Sequence, residues 1–547
     1  MVRAEGHGGH LALAVARAHG VDTMFTLSGA HVFPLYDAAV TADEPMRLVD
    51  VRHEQTAVFA AEATAKLTRR PGLAVLTAGP GVTNGISAVT TAHFNGSPVL
   101  VVGGRAPGFR WGSGSLQELD HPPLLAPVTK LAATVHSVEA IAEEVDGALR
   151  TATAPHRGPV FLDVPMDQLF SRAEVDLPPP PTREPVPPDP ADVATVGRLL
   201  ADARRPVLVI GSDVWSDGAE AAAFELAEAA GIPVITNGMG RGIVPAGHPL
   251  LVSRARGAAL GGADLVVVAG APLDFRLGFG VFGSDAPAAV IHLTDSPEQV
   301  ARHVALAASA SGDLGLVLGG VLEAWTRSAP RSPYVEWTAM LASAVRAAVE
   351  GDRDLLTSDS DPVHPARIYG ELSPRLADDA VVIGDGGDFV SYAGKYVEAK
   401  APGGWLDPGP YGCLGTGLGY AIGARLARPS AQVVLMLGDG AAGFSLMDVD
   451  TLVRHGLPVV IVVGNNGGWG LEKHPMRFLY GYDVAAELSP RTRYDEVARA
   501  LGGAGELVER AVDVGPAMDR AFAAGVPYLV NVLTDPDIAY PRSTNLA

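Results

Sequence analysis

The sequence contains one cysteine, Cys413. A single thiol cannot build an internal disulfide framework or a cysteine-rich zinc or iron–sulfur site. No apolar run approaches the ~18 residues that a membrane helix needs. The apolar stretch at 11–16 is cut short by Arg17, so no secretory signal is expected. Basic residues are also in short supply: 41 Lys and Arg stand against 61 Asp and Glu, for a formal net charge of −20. Such a surface disfavours nucleic acid and anionic membranes, which both need a basic footprint. It leaves room for an anionic small molecule in a locally basic pocket. The expectation is a soluble, cytoplasmic protein.

What is present is long and globular in composition. At roughly 150 residues per domain, 547 residues predict three or four domains, and 48% apolar with 19% charged residues is an ordinary globular mix. The clearest boundary is PPPPTREPVPPDP at 178–190, with eight prolines in thirteen residues, a stiff extended linker. A weaker break lies near SAPRSP at 328–333, and a polar stretch covers 351–365. These cuts give domains at 1–177, 190–328 and 363–547. In each, short Val/Ile/Leu runs end in glycine-rich turns and alternate with Ala-rich helical stretches. Examples are 73–76 before TAGPG, 265–269 before GAPLD and 433–437 before GDG. Continuous apolar strands alternating with helices predict parallel sheets covered on both faces. The fold class is therefore α/β, three doubly wound parallel-sheet domains, with ligands expected beyond the carboxyl ends of the strands.

The most informative segment is GDGAAGFSLMDVDTLVRHGLPVVIVVGNNGGWG at 438–470. One strand delivers Gly438-Asp439-Gly440 to its end and a second delivers Asn465-Asn466. Adjacent parallel strands would bring Asp439 and Asn466 together. A carboxylate, an amide oxygen and a nearby carbonyl are hard ligands suited to Mg²⁺, and the glycines let backbone N–H groups approach a phosphate. Alone, GDG reads as a turn and NN as a loop; together, each after its own strand, they read as a metal–diphosphate anchor.

This spacing resembles the thiamine diphosphate (ThDP) signature of the acetolactate synthase and 2-hydroxyacyl-CoA lyase superfamily. The resemblance implies that Asp439, the Asn466 side chain and the Gly468 carbonyl hold Mg²⁺, with Gly440, Ala441 and Ala442 beside the cofactor. Arg52-His53-Glu54-Gln55, before an Ala-rich helix, resembles the family's RxEQ element. On that match Glu54 is the carboxylate that lets the aminopyrimidine deprotonate the thiazolium; read by itself it is a helix N-terminal acid favoured by the dipole. GPGVTNG at 79–85 is similar to the GPGxxN turn, with Asn84 at the cofactor, and Gly29 lies in LSGAH at 27–31. Leu414 stands where the family carries a bulky apolar wedge under the cofactor, and Gly386-Gly387-Asp388 matches the loop that covers the diphosphate.

The middle domain decides the branch at this level of reading. NGMGRGIVPAGH at 237–248 and the run ending in Asp264 look like the nucleotide-binding domain of 2-hydroxyacyl-CoA and oxalyl-CoA lyases. Arg256 and Arg276 are candidate phosphate clamps, with Asp274 or Asp295 for a ribose hydroxyl; the alternative is that the arginines are solvated surface charges. The tail at 540–547 resembles one that closes over acyl-CoA, or is a frayed end. His31, Gln117 of the Gln117-Glu118 pair and Glu487 are candidates for acid–base work. Glu487 is expected in a helix-like stretch over an apolar pocket, with a raised pKa suited to shuttling a proton, or else on the surface. Trp469 and Phe94 are expected to shape the pocket. The implied function is a ThDP/Mg²⁺-dependent 2-hydroxyacyl-CoA lyase that takes a short or branched acyl-CoA such as 2-hydroxyisobutyryl-CoA to formyl-CoA and an aldehyde or ketone, with ADP as a structural nucleotide. The alternatives are acetolactate synthase carrying FAD, an oxalyl-CoA-type decarboxylase, and a partner subunit that has lost catalysis. The resemblance also implies a homodimer or homotetramer with active sites between chains.

Overall fold

The computed structural model describes residues 2–42, 44–328 and 334–540. Most of the weaker sequence break (329–333) and nearly all of the tail (541–547) therefore lie outside the described residues. Three parallel sheets form, one per block of sequence. In the first, the spatial order is Arg47–Asp50, Thr23–Thr26, Gly72–Leu76, Val99–Arg105, Val160–Pro165, Ala132–Thr134. The central sheet has five strands, ordered Val234–Thr236, Pro206–Ile210, Leu265–Ala269, Ala289–Thr294, Ala308–Ser311. The last sheet has the order Trp405–Leu406, Val381–Asp385, Val433–Gly438, Val460–Asn465, Tyr528–Leu533, Ala504–Val508. Helices cover both faces of each, because strands apolar on both sides must be buried on both sides. Among the described residues, no helix is long and apolar enough to cross a membrane.

One element differs from the sequence reading. Val2–His7 pairs antiparallel with Arg172–Leu177, outside the three sheets. The second strand shows an alternating exposed and half-buried pattern, as a strand with one covered face should. Its partner lies so far away in sequence that no local signal joins them.

The first and third domains are welded by two helices, Glu54–Thr68 and Thr416–Ala427. Their approach depends on small residues. A Cβ on Gly419 would lie 2.6 Å from Phe59 Cβ, and one on Gly423 would lie 2.4 Å from the Ala60 carbonyl oxygen. A buried polar knot fixes the register. The fully buried Glu62 accepts hydrogen bonds from the Tyr420 hydroxyl (2.9 Å) and Asn95 Nδ2 (2.8 Å). Buried Asp448 accepts from the Arg52 backbone N–H (2.9 Å) and the Thr56 hydroxyl (2.7 Å).

Gly423→Val should therefore cost stability of about 1–3 kcal/mol or more by overpacking. Gly319→Ala, in a helix with open space around that position, should be neutral or stabilising. Urea unfolding of both variants checks this; equal midpoints would contradict the close-packed helix pair.

Candidate active site

The site begins at the ends of two neighbouring strands of the last sheet. Their ladder pairs Gly438 with Gly464, so the residues that follow, Asp439 and Asn466, emerge on the same edge. Asp439 is almost fully buried. Its Oδ1 accepts the Gly440 N–H (2.9 Å) and its Oδ2 the Gly467 N–H (2.8 Å). Burial pushes its carboxyl up to about 6 against the pull of those N–H groups. Among the described residues no basic side chain forms an ion pair with it. Asn466 Oδ1 accepts the Gly468 N–H (3.2 Å), which curls the loop so that Gly468 sits beside the carboxylate.

Around this edge lies a cavity of about 520 Å³, lined by Gly386, Gly387, Asp388, Leu414, Asp439, Gly440, Ala441, Asn466, Gly468 and Trp469. Ala442 is buried beneath it. Two of its glycines have no room for a side chain. A Cβ on Gly386 would sit 2.5 Å from Ala441 Cβ, and one on Gly440 2.5 Å from the Trp469 ring. Leu414 is held by a residue the sequence reading missed. Fully buried Asp385 accepts the N–H groups of Gly415 (3.1 Å) and Gly417 (2.9 Å), and burial pushes its carboxyl up to about 7.

The first domain gathers a second group. Glu54 opens its helix, is buried, and accepts a hydrogen bond from Asn84 Nδ2 (3.1 Å). Gly79 turns with φ +59°, and Gln117, itself at φ 60°, packs against it. Gly29 abuts Thr77 so closely that a Cβ would lie 2.2 Å from Thr77 Cβ. His31 Nδ1 lies 3.1 Å from the Thr77 hydroxyl, and burial holds its imidazole below its ordinary value. Every residue lining the cavity belongs to the central or C-terminal domain, and Glu54 is not among them.

Four expectations meet a different environment. Glu487 does not sit in a helix over an apolar pocket. It follows the helix Gly470–Tyr480, and its backbone bridges to Gly468. Its side chain is 59% exposed and pairs with Lys473 Nζ (2.8 Å) and Arg477 (3.7 Å). Lys473, buried and unnoticed in the sequence, is the reason: its ammonium needs the carboxylate. Arg276 does not present a free guanidinium. Asp274 caps the turn by accepting the Arg276 N–H (2.9 Å), then catches the same residue's side chain through Nε (3.0 Å) and Nη2 (2.7 Å). Arg256 donates to the Arg276 carbonyl (2.6 Å), and burial pushes its guanidinium down to about 10. Asp295 is taken by His156 Nδ1 (3.0 Å).

Asp274, Arg276 and His156 border a second cavity, about 700 Å³, between the first and central domains. Phe94 lines it and stacks on Tyr411 with centroids 5.4 Å apart. Burial disfavours the His156 imidazolium, but Asp213 and Asp295 together outweigh it and push its pKa to about 9 from an ordinary 6.5. A raised histidine contributes stability that is present below its unfolded value and lost as the pH rises through its folded one. The stability of the unliganded protein should therefore fall between pH 6.5 and about 9, and His156→Gln should flatten that fall. Thermal melts across the range test it; identical slopes for both proteins would contradict the pairing.

Comparison with known proteins now bears on the site. A family model described as "Thiamine pyrophosphate enzyme, N-terminal TPP binding domain" matches residues 6–124. The central-domain model of the same family matches 193–321, and the C-terminal TPP binding domain matches 385–532. The chain is 51% identical over 545 residues to "Acetolactate synthase large subunit IlvG" of Mycobacterium tuberculosis, covering 99% of this chain and 98% of the relative. "Probable acetolactate synthase" of Mycobacterium bovis matches to the same extent, 51% over 545 residues. "2-hydroxyacyl-CoA lyase 2" of Homo sapiens is 34% identical over 578 residues, covering 96% of this chain and 90% of the relative. The residues fit the family's cofactor: a buried carboxylate without a cation, a glycine-walled cradle and an apolar wedge meet in one cavity. The chain belongs to the thiamine pyrophosphate enzyme family.

Proposed function

We propose that this chain is a ThDP- and Mg²⁺-dependent carboligase that condenses two pyruvate molecules, with loss of carbon dioxide, to acetolactate. The observation that carries this reading is the end-to-end likeness, 51% identity across 99% of the chain, to a protein named acetolactate synthase. It reverses the sequence expectation of a 2-hydroxyacyl-CoA lyase, whose named relatives are near 34%. The site supports the reversal. Glu487, the intended proton shuttle for an acyl-CoA, is engaged by Lys473 and Arg477. Arg276, the intended phosphate clamp, is engaged by Asp274.

When bound, ThDP would supply a nucleophilic carbon and a sink for the electrons released by decarboxylation. The chain's own groups have separate tasks. Asp439, Asn466 and the Gly468 carbonyl would hold the metal, which offsets the cost of burying Asp439 charged. Gly386 and Gly387, with no side chains, would let their backbone approach a diphosphate. Leu414, beside the Gly415 N–H that Asp385 holds, would give the coenzyme apolar support. Glu54, oriented by Asn84, would exchange a proton with the aminopyrimidine of the bound coenzyme. His31, whose charged form burial disfavours, lies against the Thr77 hydroxyl, and Gln117 lies against the Gly79 turn. Because Glu54 lies off the cavity of its own chain, a second copy supplies it, and the working unit is a homodimer or a dimer of dimers. On this reading the second cavity would take a nucleotide, FAD.

Incubation of the purified protein with pyruvate, ThDP and Mg²⁺ should yield acetolactate, and chelation of the metal should stop it. The protein should be yellow. No acetolactate, together with formyl-CoA from 2-hydroxyisobutyryl-CoA, would return the assignment to the lyase. Glu54→Gln should lower turnover by at least about a hundredfold while ThDP binding persists. Asp439→Asn should instead raise the ThDP Kd by more than about tenfold. Calorimetric titration separates the two; full activity in either variant would refute its assigned role.

A further inference from the structure

Behind the Gly79 turn lies a buried network that none of the roles above uses. His121 and Asp163 are both fully buried. The Gly79 backbone N–H donates to His121 Nε2 (2.9 Å), and His121 Nδ1 lies 2.9 Å from Asp163 Oδ1. Because Nε2 accepts, the ring proton resides on Nδ1 and is directed at the carboxylate. The other oxygen of Asp163 is in close contact with the Arg105 guanidinium. Arg105 also reaches Asp120 (2.9 Å) and lies over the Trp111 ring, 3.6 Å from its centroid. Asp163 is paired with Gly103 across neighbouring strands, so the network stands at the carboxyl ends of the first sheet.

We propose that His121, locked in one tautomer by Asp163 and Arg105, is a positioning residue for the catalytic acid Glu54. The chain of contacts is short. Gly79 turns at φ +59°, ψ −114°, and opens the helix Pro80–Phe94. That helix carries Asn84, which donates to Glu54. The same turn packs against the backbone of Gln117, where a Cβ on Gly79 would meet Gln117 atoms at 3.0 to 3.2 Å. A strained turn needs its N–H satisfied, since a buried donor left without a partner is costly. The imidazole meets that need from a side chain whose own orientation is fixed by charge, the same logic by which a carboxylate orients a histidine in other catalytic sites. Moving the Gly79 N–H would tilt the helix start and shift both Asn84 and Gln117.

The inference rests on the thiamine-enzyme reading of Glu54 and not on pyruvate as substrate. Two variants divide the ring's two functions. His121→Gln can keep an acceptor near the Nε2 position, whereas His121→Asn keeps only the side facing Asp163. Asp163→Asn is the fallback should His121→Asn fold poorly, because a carboxamide can donate to Nδ1 and so move the ring proton to Nε2, against the Gly79 N–H. Two readouts need no substrate: hydrogen exchange of the Gly79 amide in the coenzyme-free protein, and exchange of the C2 proton of bound ThDP. His121→Asn and Asp163→Asn should speed the first and slow the second by about tenfold or more, with the ThDP Kd little changed. His121→Gln should bring both back towards wild type. Wild-type exchange in His121→Asn and Asp163→Asn, or equal losses in the Asn and Gln variants of His121, would overturn the proposal. Failure to make acetolactate with intact C2 exchange would instead count against the substrate assignment alone.

Discussion

A buried carboxylate with no cation paired to it among the described residues is the constraint around which the C-terminal domain is arranged. Asp439 sits at the end of a strand, where parallel-sheet proteins bind their ligands, and its carboxyl is pushed up to about 6 by burial. Only backbone N–H groups oppose that cost. The nearby cations, Lys473 and Arg477, are directed at Glu487 instead. On the proposed reading a divalent ion would complete such a site by supplying the missing charge. The close-packed glycines Gly386 and Gly440 and the Asp385 anchor beside Leu414 frame the same cavity.

The first domain carries the complementary half. Glu54 and Asn84 stand on helices that start at tight turns, and Gly79 is pinned from behind by His121. The helix pair Glu54–Thr68 and Thr416–Ala427 joins the two domains of one chain through close small-residue contacts, yet leaves Glu54 off the cavity that holds Asp439. Rigid intrachain packing and an incomplete site together favour completion by a second chain. The Glu62–Tyr420–Asn95 knot matters for the same reason, since a buried polar network tolerates one register only.

The strands, and the meeting of Asp439 and Asn466 at one sheet edge, were legible in the sequence because their signals are local. Val/Ile/Leu runs ending in glycine placed all three sheets, and two such ends in succession placed Asp439 beside Asn466. The misread residues depended on partners that no local pattern reveals. Glu487 looked like a lone acid because Lys473, which buries itself against the same loop, offers no signal by spacing alone. Arg276 looked free although Asp274, two positions earlier, was in view; the pairing depends on how tightly that turn winds. His121 and Asp163 were overlooked because they lie 42 positions apart and meet only once the sheet has formed. The choice between pyruvate and acyl-CoA chemistry was the least legible, since the cofactor motifs are common to both and the middle domain's arginines were read as ligands rather than as partners of the chain's own groups.

The most direct test of an acid and a metal cradle shared between chains is complementation. Glu54→Gln and Asp439→Asn proteins, each inactive alone, are unfolded together, refolded as a mixture and assayed with ThDP and Mg²⁺. If one coenzyme is gripped by two chains, half the dimers are mixed and each mixed dimer has one intact site, so about a quarter of wild-type activity should return. A mixture that stays as inactive as its components, while a co-refolded wild-type control recovers, would contradict the account.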